Sequence, residues 1–221
     1  MCLLMACKNN TIESQEAVTE KHDNELNVIE KPSVAQTFKT PDGWQELTND
    51  TSDYVTDIRY ATTNNFVNEI MYDCGKCFLR NQAADALHNV ARQLMKKNLR
   101  IKLFDCYRPG PVQQKLWDKV PNASYVTPPW RGSQHNRGVA VDLTIVDANN
   151  KQLDMGTEFD FFGEEAHHTY TKHSDEIQEN RTLLKTLMEQ NGFAPIRTEW
   201  WHYSIAELNH LEVSQWEWEC D

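Results

Sequence analysis

The sequence predicts an α+β domain, because amphipathic helices and β-branched strands are mixed along the chain without a regular strand–helix–strand repeat. Residues 81–97 and 175–191 carry apolar side chains at helical spacing, and residues 139–146 form an alternating, β-branched run that is typical of a strand. A chain of 221 residues is commonly one domain with enough core to fold without cross-links. We therefore expect a single domain.

The first part of the domain is expected to begin near residue 43 and to lead into the first helix. Residues 57–62 are interpreted as a short strand or an extended lead-in, and residues 64–71 as a loop. The helix over 81–97 is predicted from its apolar stripe and from two lysines at its end, where cations complement the helix dipole. The residues of this stripe are Ala84, Leu87, Val90, Ala91, Leu94 and Met95.

The second part is predicted to consist of short elements separated by prolines and glycines. Pro109 and Pro111 stop the strand that precedes them, and Pro121 ends the helix that follows. Gly192 lies where the last helix should end. The predicted elements are, in order, a strand, a helix, a strand, a helix and a strand over residues 101–107, 112–120, 139–146, 175–191 and 198–205.

The charge and hydropathy of the chain argue against two classes of partner. The formal net charge is -11, whereas proteins that bind nucleic-acid backbones need clustered lysine and arginine. No apolar run approaches the length of a membrane span. We expect a globular protein that binds no nucleic acid, and the sequence predicts no oligomeric state.

Residues 1–40 are predicted to be a lipoprotein-like leader and a flexible polar tether, and residues 41–221 the folded domain. The three residues before Cys7, Leu4-Met5-Ala6, resemble the lipobox of a bacterial lipoprotein signal, which makes Cys7 a candidate for lipidation. The stretch from residue 8 to about residue 40 is too polar to bury a core and suits a tether. An ordinary short N-terminus is the alternative. A lipid on Cys7 is the sole membrane attachment that we predict.

Four cysteines, Cys74, Cys77, Cys106 and Cys220, lie in the predicted folded part. Cys74 and Cys77 form a Cys-x-x-Cys pair, a spacing that also occurs in zinc and redox sites. No second pair follows at zinc-ribbon spacing, so a structural zinc site is not expected. Buried free thiols or one or two disulfides are the preferred interpretations, and the sequence does not predict the pairing.

The first half of a candidate metal site is a His-x6-Asp pattern. Asp142 falls within an apolar strand, on the same face as Ala140 and Thr144. A carboxylate among apolar neighbours is costly unless it is paired or binds metal, although a strand-edge aspartate bonded to a backbone amide is the alternative. His135 precedes this strand across a turn at Gly138, so both side chains can converge on one point.

The second half is the Glu-x-x-His pattern of Glu199 and His202, which lies beside Trp200, Trp201 and Tyr203. We expect these aromatic side chains to form a dry wall around a metal and to strengthen electrostatic interactions there. For this half alone, a core histidine with a surface glutamate is the alternative.

Together the two halves supply what a hydrolytic zinc site needs. His135, Asp142 and His202 are the predicted ligands of one Zn²⁺ per chain, with a fourth position left for water. Glu199 is the predicted general base. Arg108, at the end of a strand and held by the proline after it, is the best candidate to stabilise an oxyanion. A surface arginine is the alternative.

These motifs resemble the D-alanyl-D-alanine dipeptidases of the VanX type, within the wider group of zinc D,D-peptidases. The two metal motifs are shared by the wider group, whereas the joint match is specific. The matching segments are residues 59–66, 107–109, 133–144, 155–161 and 199–203. The resemblance implies a hedgehog-like α+β fold with a central, mostly antiparallel sheet flanked by helices. It also implies hydrolysis of D-Ala-D-Ala to two D-alanines.

For individual residues, the resemblance implies the same zinc ligands, base and arginine as above. It also implies that Tyr60 and Ser133 line the dipeptide pocket and that Asp160 meets the ammonium group of the substrate. A turn or capping aspartate is the alternative for Asp160. The adjacent residues 167–168, both histidine, match a family segment too, but we expect them to be structural.

The leader and the Cys-x-x-Cys segment have no counterpart in the motifs shared with cytoplasmic dipeptidases. With a lipid on Cys7, the enzyme would act in the bacterial cell envelope or periplasm, and a cytoplasmic location is the alternative. Wall-fragment turnover or D-alanine salvage would then be more natural roles than glycopeptide resistance.

Two other functions stay open. One is a D,D-carboxypeptidase or endopeptidase that acts on peptidoglycan stem peptides. The other is a non-catalytic, zinc-stabilised binding domain, against which the presence of Glu199 and Arg108 argues.

Overall fold

The computed structural model describes residues 39–50 and 53–220, and the predicted leader with Cys7 lies outside these ranges. The strands are β1 (Trp44–Leu47), β2 (Tyr54–Thr56), β3 (Cys77–Arg80), β4 (Arg100–Asp105), β5 (Ala140–Val146), β6 (Phe193–Pro195) and β7 (His202–Ile205). The α-helices are α1 (Asn81–Met95), α2 (Gly110–Lys119) and α3 (Asp175–Gln190). Short 3-10 helices occur at Arg59–Ala61, His135–Arg137, Glu164–Ala166 and Ala206–Leu208.

Five of these strands form the main sheet, in the order β2-β4-β5-β7-β6. β2 runs parallel to β4, and the other neighbouring pairs in this sheet are antiparallel. β1 and β3 pair with each other in a separate two-stranded sheet. The predicted α+β class with a mostly antiparallel sheet is therefore confirmed.

α1 and α3 pack on this sheet with their apolar faces. α1 contacts β4 and α3, and α3 contacts β6. The predicted stripe of α1 is buried at every position except its last residue, Met95. Burying a leucine or valine side chain stabilises a fold by about 1.5–3 kcal/mol, so this stripe fixes α1 on the sheet. Among the described residues, no helix is long and apolar enough to cross a membrane.

The sequence pattern locates the helices better than the strands. Residues 57–62 are neither a strand nor a plain extended lead-in, because they contain the 3-10 helix Arg59–Ala61, and β2 ends just before them. No glycine or proline marks this turn in the sequence. The strand predicted over 198–205 begins only at His202, which leaves Glu199 in the segment before β7. β1, β3 and β6 have three or four residues, too few to show a period of two.

Two disulfides join the four cysteines of the domain, Cys74 to Cys220 and Cys77 to Cys106. The disulfide interpretation is thus correct, and the two members of the Cys-x-x-Cys pair bond to distant partners and not to each other. Cys77 and Cys106 are fully buried, and this bond ties β3 to the end of β4.

Candidate active site

A cavity of about 200 Å³ is lined by every site residue that the sequence predicts within the folded domain. Its lining includes the predicted metal ligands, the predicted base and arginine, and the predicted substrate-binding residues. These are Tyr60, Arg108, Ser133, His135, Asp142, Asp160, Glu199 and His202.

The sheet register lines up the polar residues of three neighbouring strands. Asp142 of β5 is paired with Asp105 of β4 on one side and with His202 of β7 on the other. Directly opposed residues of antiparallel strands project on the same face, which places these three side chains in a row. The register of β4 shifts between Leu103 and Asp105, at the point where the row crosses this strand.

Gly138 makes the turn that brings His135 to the end of this row. Its φ of 69° lies in the left-handed region, and an added Cβ would overlap the ring of Trp44. Only glycine meets both conditions. Beyond the turn, Nε2 of His135 lies 3.4 Å from Oδ2 of Asp142. The convergence that the His-x6-Asp pattern predicts is therefore observed.

The donor atoms of His135, Asp142 and His202 lie within 4.8 Å of one another, and all three residues are buried. Nδ1 of His202 is 3.1 Å from Nε2 of His135 and 3.0 Å from Oδ1 of Asp142. Nδ1 of His135 donates to the carbonyl oxygen of Cys106 at 2.7 Å, so in the neutral imidazole Nε2 carries the lone pair and faces the other donors. Two imidazole nitrogens and one carboxylate are a common zinc donor set, and these residues fit that ion.

In this cluster, His135 and Asp142 each stabilise the charged form of the other. Burial alone would raise the pKa of Asp142, but the charge of His135 and hydrogen bonds from both histidines outweigh it and hold the pKa below its ordinary range. For His135 burial acts to lower the pKa, and the charge of Asp142 reverses this and raises it. The carboxylate thus keeps its negative charge although it is buried, as a ligand for a cation requires.

Glu199 lies in the segment just before β7, half-buried at the cavity wall. Burial raises its pKa to about 7, although the charge of His202 acts in the opposite direction. Asp142 adds to the increase because its negative charge opposes a second one nearby. A carboxyl group with such a pKa can accept and return a proton near neutral pH.

Arg108 is buried beside the cavity, and its guanidinium group is fixed on two sides. Nε and Nη2 donate to Oδ2 of Asp105 at 3.1 and 2.7 Å, and Nη1 donates to Oε1 of Gln113 at 3.1 Å. The ring of Tyr60 lies 5.0 Å from the guanidinium carbon. Asp105 and Gln113 therefore hold this group, and not the following proline as the sequence analysis expects. Three of its five N–H donors are used, which leaves two for a ligand.

Asp105 is a residue of the site that the sequence analysis misses. It is fully buried, its Oδ1 accepts a hydrogen bond from Tyr72 at 2.7 Å, and its Oδ2 binds Arg108. The same Oδ2 lies 3.6 Å from Nδ1 of His135. The signal in the sequence is an acidic residue inside an apolar strand, three positions before Arg108, and it is the same kind of signal that identifies Asp142.

Asp160 and Tyr60 form a polar pair on another wall. The Tyr60 hydroxyl donates to Oδ2 of Asp160 at 3.1 Å. Burial raises the pKa of Asp160 well above its ordinary value, and the charge of Asp142 adds to the increase. Asp160 lines the cavity, which favours the pocket interpretation over a capping aspartate. Nearby, the Ser133 oxygen accepts from the backbone N–H of His135 at 3.0 Å and keeps its own proton free to donate.

The aromatic wall expected around the metal is only partly correct. Trp201 lines the cavity, but Trp200 is buried elsewhere and its indole N–H donates to Thr157 at 2.8 Å. The ring of Tyr203 packs against His168, with the centroids 5.9 Å apart. Trp200 and Trp201 lie in the bend before β7, and of the three aromatic residues Trp201 is the one that lines the cavity.

Apolar side chains from α2 and from the loops complete the cavity. Sequence reasoning misses them, because loop residues show no periodicity that predicts where they meet. They are Phe66, Leu116, Tyr125, Val126, Phe162 and Ile196.

Comparison with known proteins relates most of the chain to one family. Residues 42–215 match the family model of peptidase M15, described as D-ala-D-ala dipeptidase. The D-alanyl-D-alanine dipeptidase of Escherichia coli is 34% identical over 151 residues, which cover 68% of this chain and 78% of that protein. The D-alanyl-D-alanine dipeptidase of Enterococcus faecalis is 28% identical over 172 residues, which cover 68% of this chain and 85% of that protein.

Among solved structures, VanYB in complex with D-Alanine-D-Alanine aligns with a TM-score of 0.39 and 17% sequence identity. The alignment covers 60% of this chain and 75% of that one.

Proposed function

This chain belongs to the D-ala-D-ala dipeptidase family, and on that premise we propose that it is a zinc-dependent dipeptidase that hydrolyses D-Ala-D-Ala to two D-alanines. The observation that carries the proposal is the convergence of His135, Asp142 and His202 in one buried cluster beside Glu199 and Arg108. A metal-storage or purely structural site would need neither a base nor a fixed guanidinium group.

His135, Asp142 and His202 would hold one zinc ion per chain. When bound, zinc lowers the pKa of a coordinated water from about 15.7 to about 7 and polarises a carbonyl oxygen. The Cys106 carbonyl supports this assignment, since its hydrogen bond with Nδ1 of His135 keeps Nε2 free to coordinate.

Glu199 would act as the general base and then as the general acid. Its carboxylate takes a proton from the attacking water and passes it to the amide nitrogen of the leaving D-alanine. Burial raises the pKa of Glu199 to about 7 in the metal-free protein, so this carboxyl group holds a proton more readily than an exposed glutamate does.

Arg108 would bind the oxyanion that develops on the carbonyl of the scissile amide. Its two unused N–H donors offer a charged fork to this oxygen. Asp105 and Gln113 already fix the guanidinium group, so little reorganisation is needed as charge develops.

Asp160 would bind the ammonium group of the dipeptide, with Tyr60 as its partner. An ammonium ion next to this carboxyl favours its charged form and so lowers a pKa that burial has raised. Ser133 would line the pocket and donate its hydroxyl proton to an oxygen of the substrate.

Two substrates test the activity: free D-Ala-D-Ala and a peptidoglycan stem pentapeptide that ends in D-Ala-D-Ala. We expect D-alanine release from the free dipeptide only. Cleavage of the pentapeptide alone would contradict the dipeptidase proposal and favour a D,D-carboxypeptidase. Binding of zinc without cleavage of either peptide would favour a non-catalytic binding domain.

For the location, the proposal is the bacterial cell envelope, with a lipid on Cys7 as the anchor. The two disulfides support it, because disulfides persist in oxidising compartments and are rare in the cytosol. Mass spectrometry of the protein purified from its native membranes should detect the lipid on Cys7. An unmodified Cys7 in that preparation would contradict the anchor.

A further inference from the structure

Arg181 of α3 is a buried cation that bonds to backbone carbonyl groups. Nε donates to the carbonyl oxygen of Met155 at 2.7 Å, Nη2 to that of Glu165 at 2.8 Å and Nη1 to that of His167 at 3.2 Å. Among the described residues, no carboxylate lies within ion-pair distance of this guanidinium group. A buried charge is costly unless it is paired or hydrogen-bonded, so these three carbonyl groups compensate the burial of Arg181.

The three carbonyl groups lie at the two ends of one loop. Met155 precedes residues 156–164, and Glu165 and His167 follow them. We call residues 156–164 the Asp160 loop. The planar guanidinium group can bond to both ends at once, because its N–H donors point in fixed and different directions. Arg181 therefore closes the Asp160 loop at its base.

Asp160 needs a loop that is held in this way. Its φ of 61° lies in the left-handed region, which is unfavourable for residues other than glycine and persists where the surrounding structure holds it. Its carboxyl group lines the cavity and accepts the hydrogen bond from Tyr60. Arg181 is not part of the cavity lining among the described residues, so it can affect a bound ligand only through the loop.

We propose that Arg181 is a positioning residue that closes the Asp160 loop and so keeps the Asp160 carboxyl group in place for the ammonium group of the substrate. This inference rests on the proposed function. Without the three bonds from Arg181, the two ends of the loop can separate. Asp160 can then leave the left-handed conformation that directs its side chain to the cavity.

Replacing Arg181 while a second cation of α3 serves as the control tests this inference. Arg181→Met removes the donors and keeps a long apolar side chain. Arg181→Lys keeps the charge but has one ammonium group in place of the planar fork. Lys185→Met is the matched control, because Lys185 lies four positions later in α3, pairs with Glu189 and is outside the cavity lining.

The probes are D-Ala-D-Ala and N-propionyl-D-alanine, which is the same molecule without its amino group. The ratio of kcat/KM for the dipeptide over the propionyl compound measures recognition of the ammonium group. Hydrogen exchange over residues 156–164, followed by mass spectrometry, measures how firmly the loop is held. Thermal unfolding of each variant verifies that it is folded.

We expect wild type to prefer the dipeptide. In Arg181→Met this preference should fall at least about tenfold through a higher KM, with kcat changed by less than about threefold. Exchange in the loop should become faster. Arg181→Lys should act in the same direction, and Lys185→Met should change neither quantity. In an Asp160→Asn background, Arg181→Met should lower the preference no further.

An unchanged preference in folded Arg181→Met would overturn the inference, because general destabilisation lowers kcat/KM for both probes alike. Equal kcat/KM of wild type for the two probes would also overturn it. If wild type cleaves neither probe, the proposed function fails, and hydrogen exchange with calorimetric binding of D-Ala-D-Ala decides the inference. Faster exchange and weaker binding in Arg181→Met, but not in Lys185→Met, would then support it. Unchanged exchange or unchanged binding would overturn it.

Discussion

The floor of the cavity is held by strands, whereas its mouth is held by loops. At the floor, Asp142 and His202 are paired neighbours in β5 and β7, and Arg108 is bonded to the buried Asp105 at the end of β4. At the mouth, the rings of Phe66, Tyr125 and Phe162 join three loops through their contacts with one another. Groups on a rigid sheet can be placed accurately for a reaction, and loops can vary which ligands enter. Substitutions at the floor should therefore change the rate of reaction, and substitutions at the mouth should change the choice of substrate.

The largest effect is expected from Glu199→Gln. Without a carboxylate to move the proton, kcat for D-Ala-D-Ala should fall by about 10²–10⁴-fold. Zinc content should be unchanged, because Glu199 is not one of the three proposed ligands. D-alanine release and metal analysis measure the two quantities. Glu158→Gln, an exposed residue outside the cavity lining, is the matched control. Unchanged turnover in Glu199→Gln would contradict its role as the base.

Asp105→Asn should have the next largest effect. A neutral side chain no longer holds the Arg108 guanidinium by charge, so kcat should fall by about 10²-fold while KM changes little. If Asp105 acts through Arg108, the same substitution in an Arg108→Ala background should cause no further fall in kcat.

The control for this cycle is Asp57→Asn, because Asp57 pairs with Arg59 outside the cavity lining. Additive losses in the double variant would mean that Asp105 supports the fold and not the arginine.

In the metal-free protein, the raised pKa of Glu199 should make the free energy of unfolding depend on pH. Its pKa is about 7 in the folded state and near the ordinary value of 4.5 in the unfolded state, so the folded state binds more protons between these values. The Glu199 contribution to stability is therefore complete below about pH 4.5 and is lost as the pH rises through about 7.

Denaturant unfolding of wild type and Glu199→Gln at several pH values measures this contribution. The stability of wild type relative to Glu199→Gln should fall across this window. A constant difference between the two proteins would contradict a raised pKa.

Loss of one disulfide should lower the stability of the protein more, whereas loss of the other should lower its activity more. In the chain-entropy model, the loop of 146 residues closed by Cys74 and Cys220 contributes about 5 kcal/mol, and the loop of 29 residues closed by Cys77 and Cys106 about 3.5 kcal/mol. The Cys77–Cys106 bond, however, adjoins the carbonyl that orients His135.

Double alanine variants at each disulfide test this ranking, with activity assayed well below the unfolding temperature. We expect a larger loss of stability without Cys74–Cys220 and a larger loss of activity without Cys77–Cys106. A greater loss of activity in the Cys74 and Cys220 variant would contradict a link between the other bond and the site.

The floor of the site could be predicted from sequence because its residues break the local pattern. Asp142 stands out as a charge in an apolar strand, and its partner His202 stands out through the Glu-x-x-His spacing. Asp105 carries a similar signal, but its partner Arg108 resembles an ordinary strand-end arginine until the buried contact is seen. The helices could also be predicted, because a stripe of apolar residues over four turns gives a clear helical period even where single positions depart from it.

The mouth of the cavity and the disulfide pairing could not be predicted in this way. Phe66, Tyr125 and Phe162 are isolated aromatic residues in loops, and only the tertiary structure brings their rings together. Four cysteines allow three pairings, and nothing in their spacing selects the observed one. Both features depend on contacts between residues that are distant in the chain, which local propensity does not encode.

The most direct test of the proposed zinc-dependent activity is D-alanine release from D-Ala-D-Ala before chelation, after chelation and after zinc is added back. Metal content is measured at each stage. We predict that removal of the metal lowers the rate by at least about 10²-fold and that one equivalent of zinc per chain restores it. Asp142→Asn protein should not recover under the same treatment. Full activity in protein shown to be free of metal would contradict the proposal.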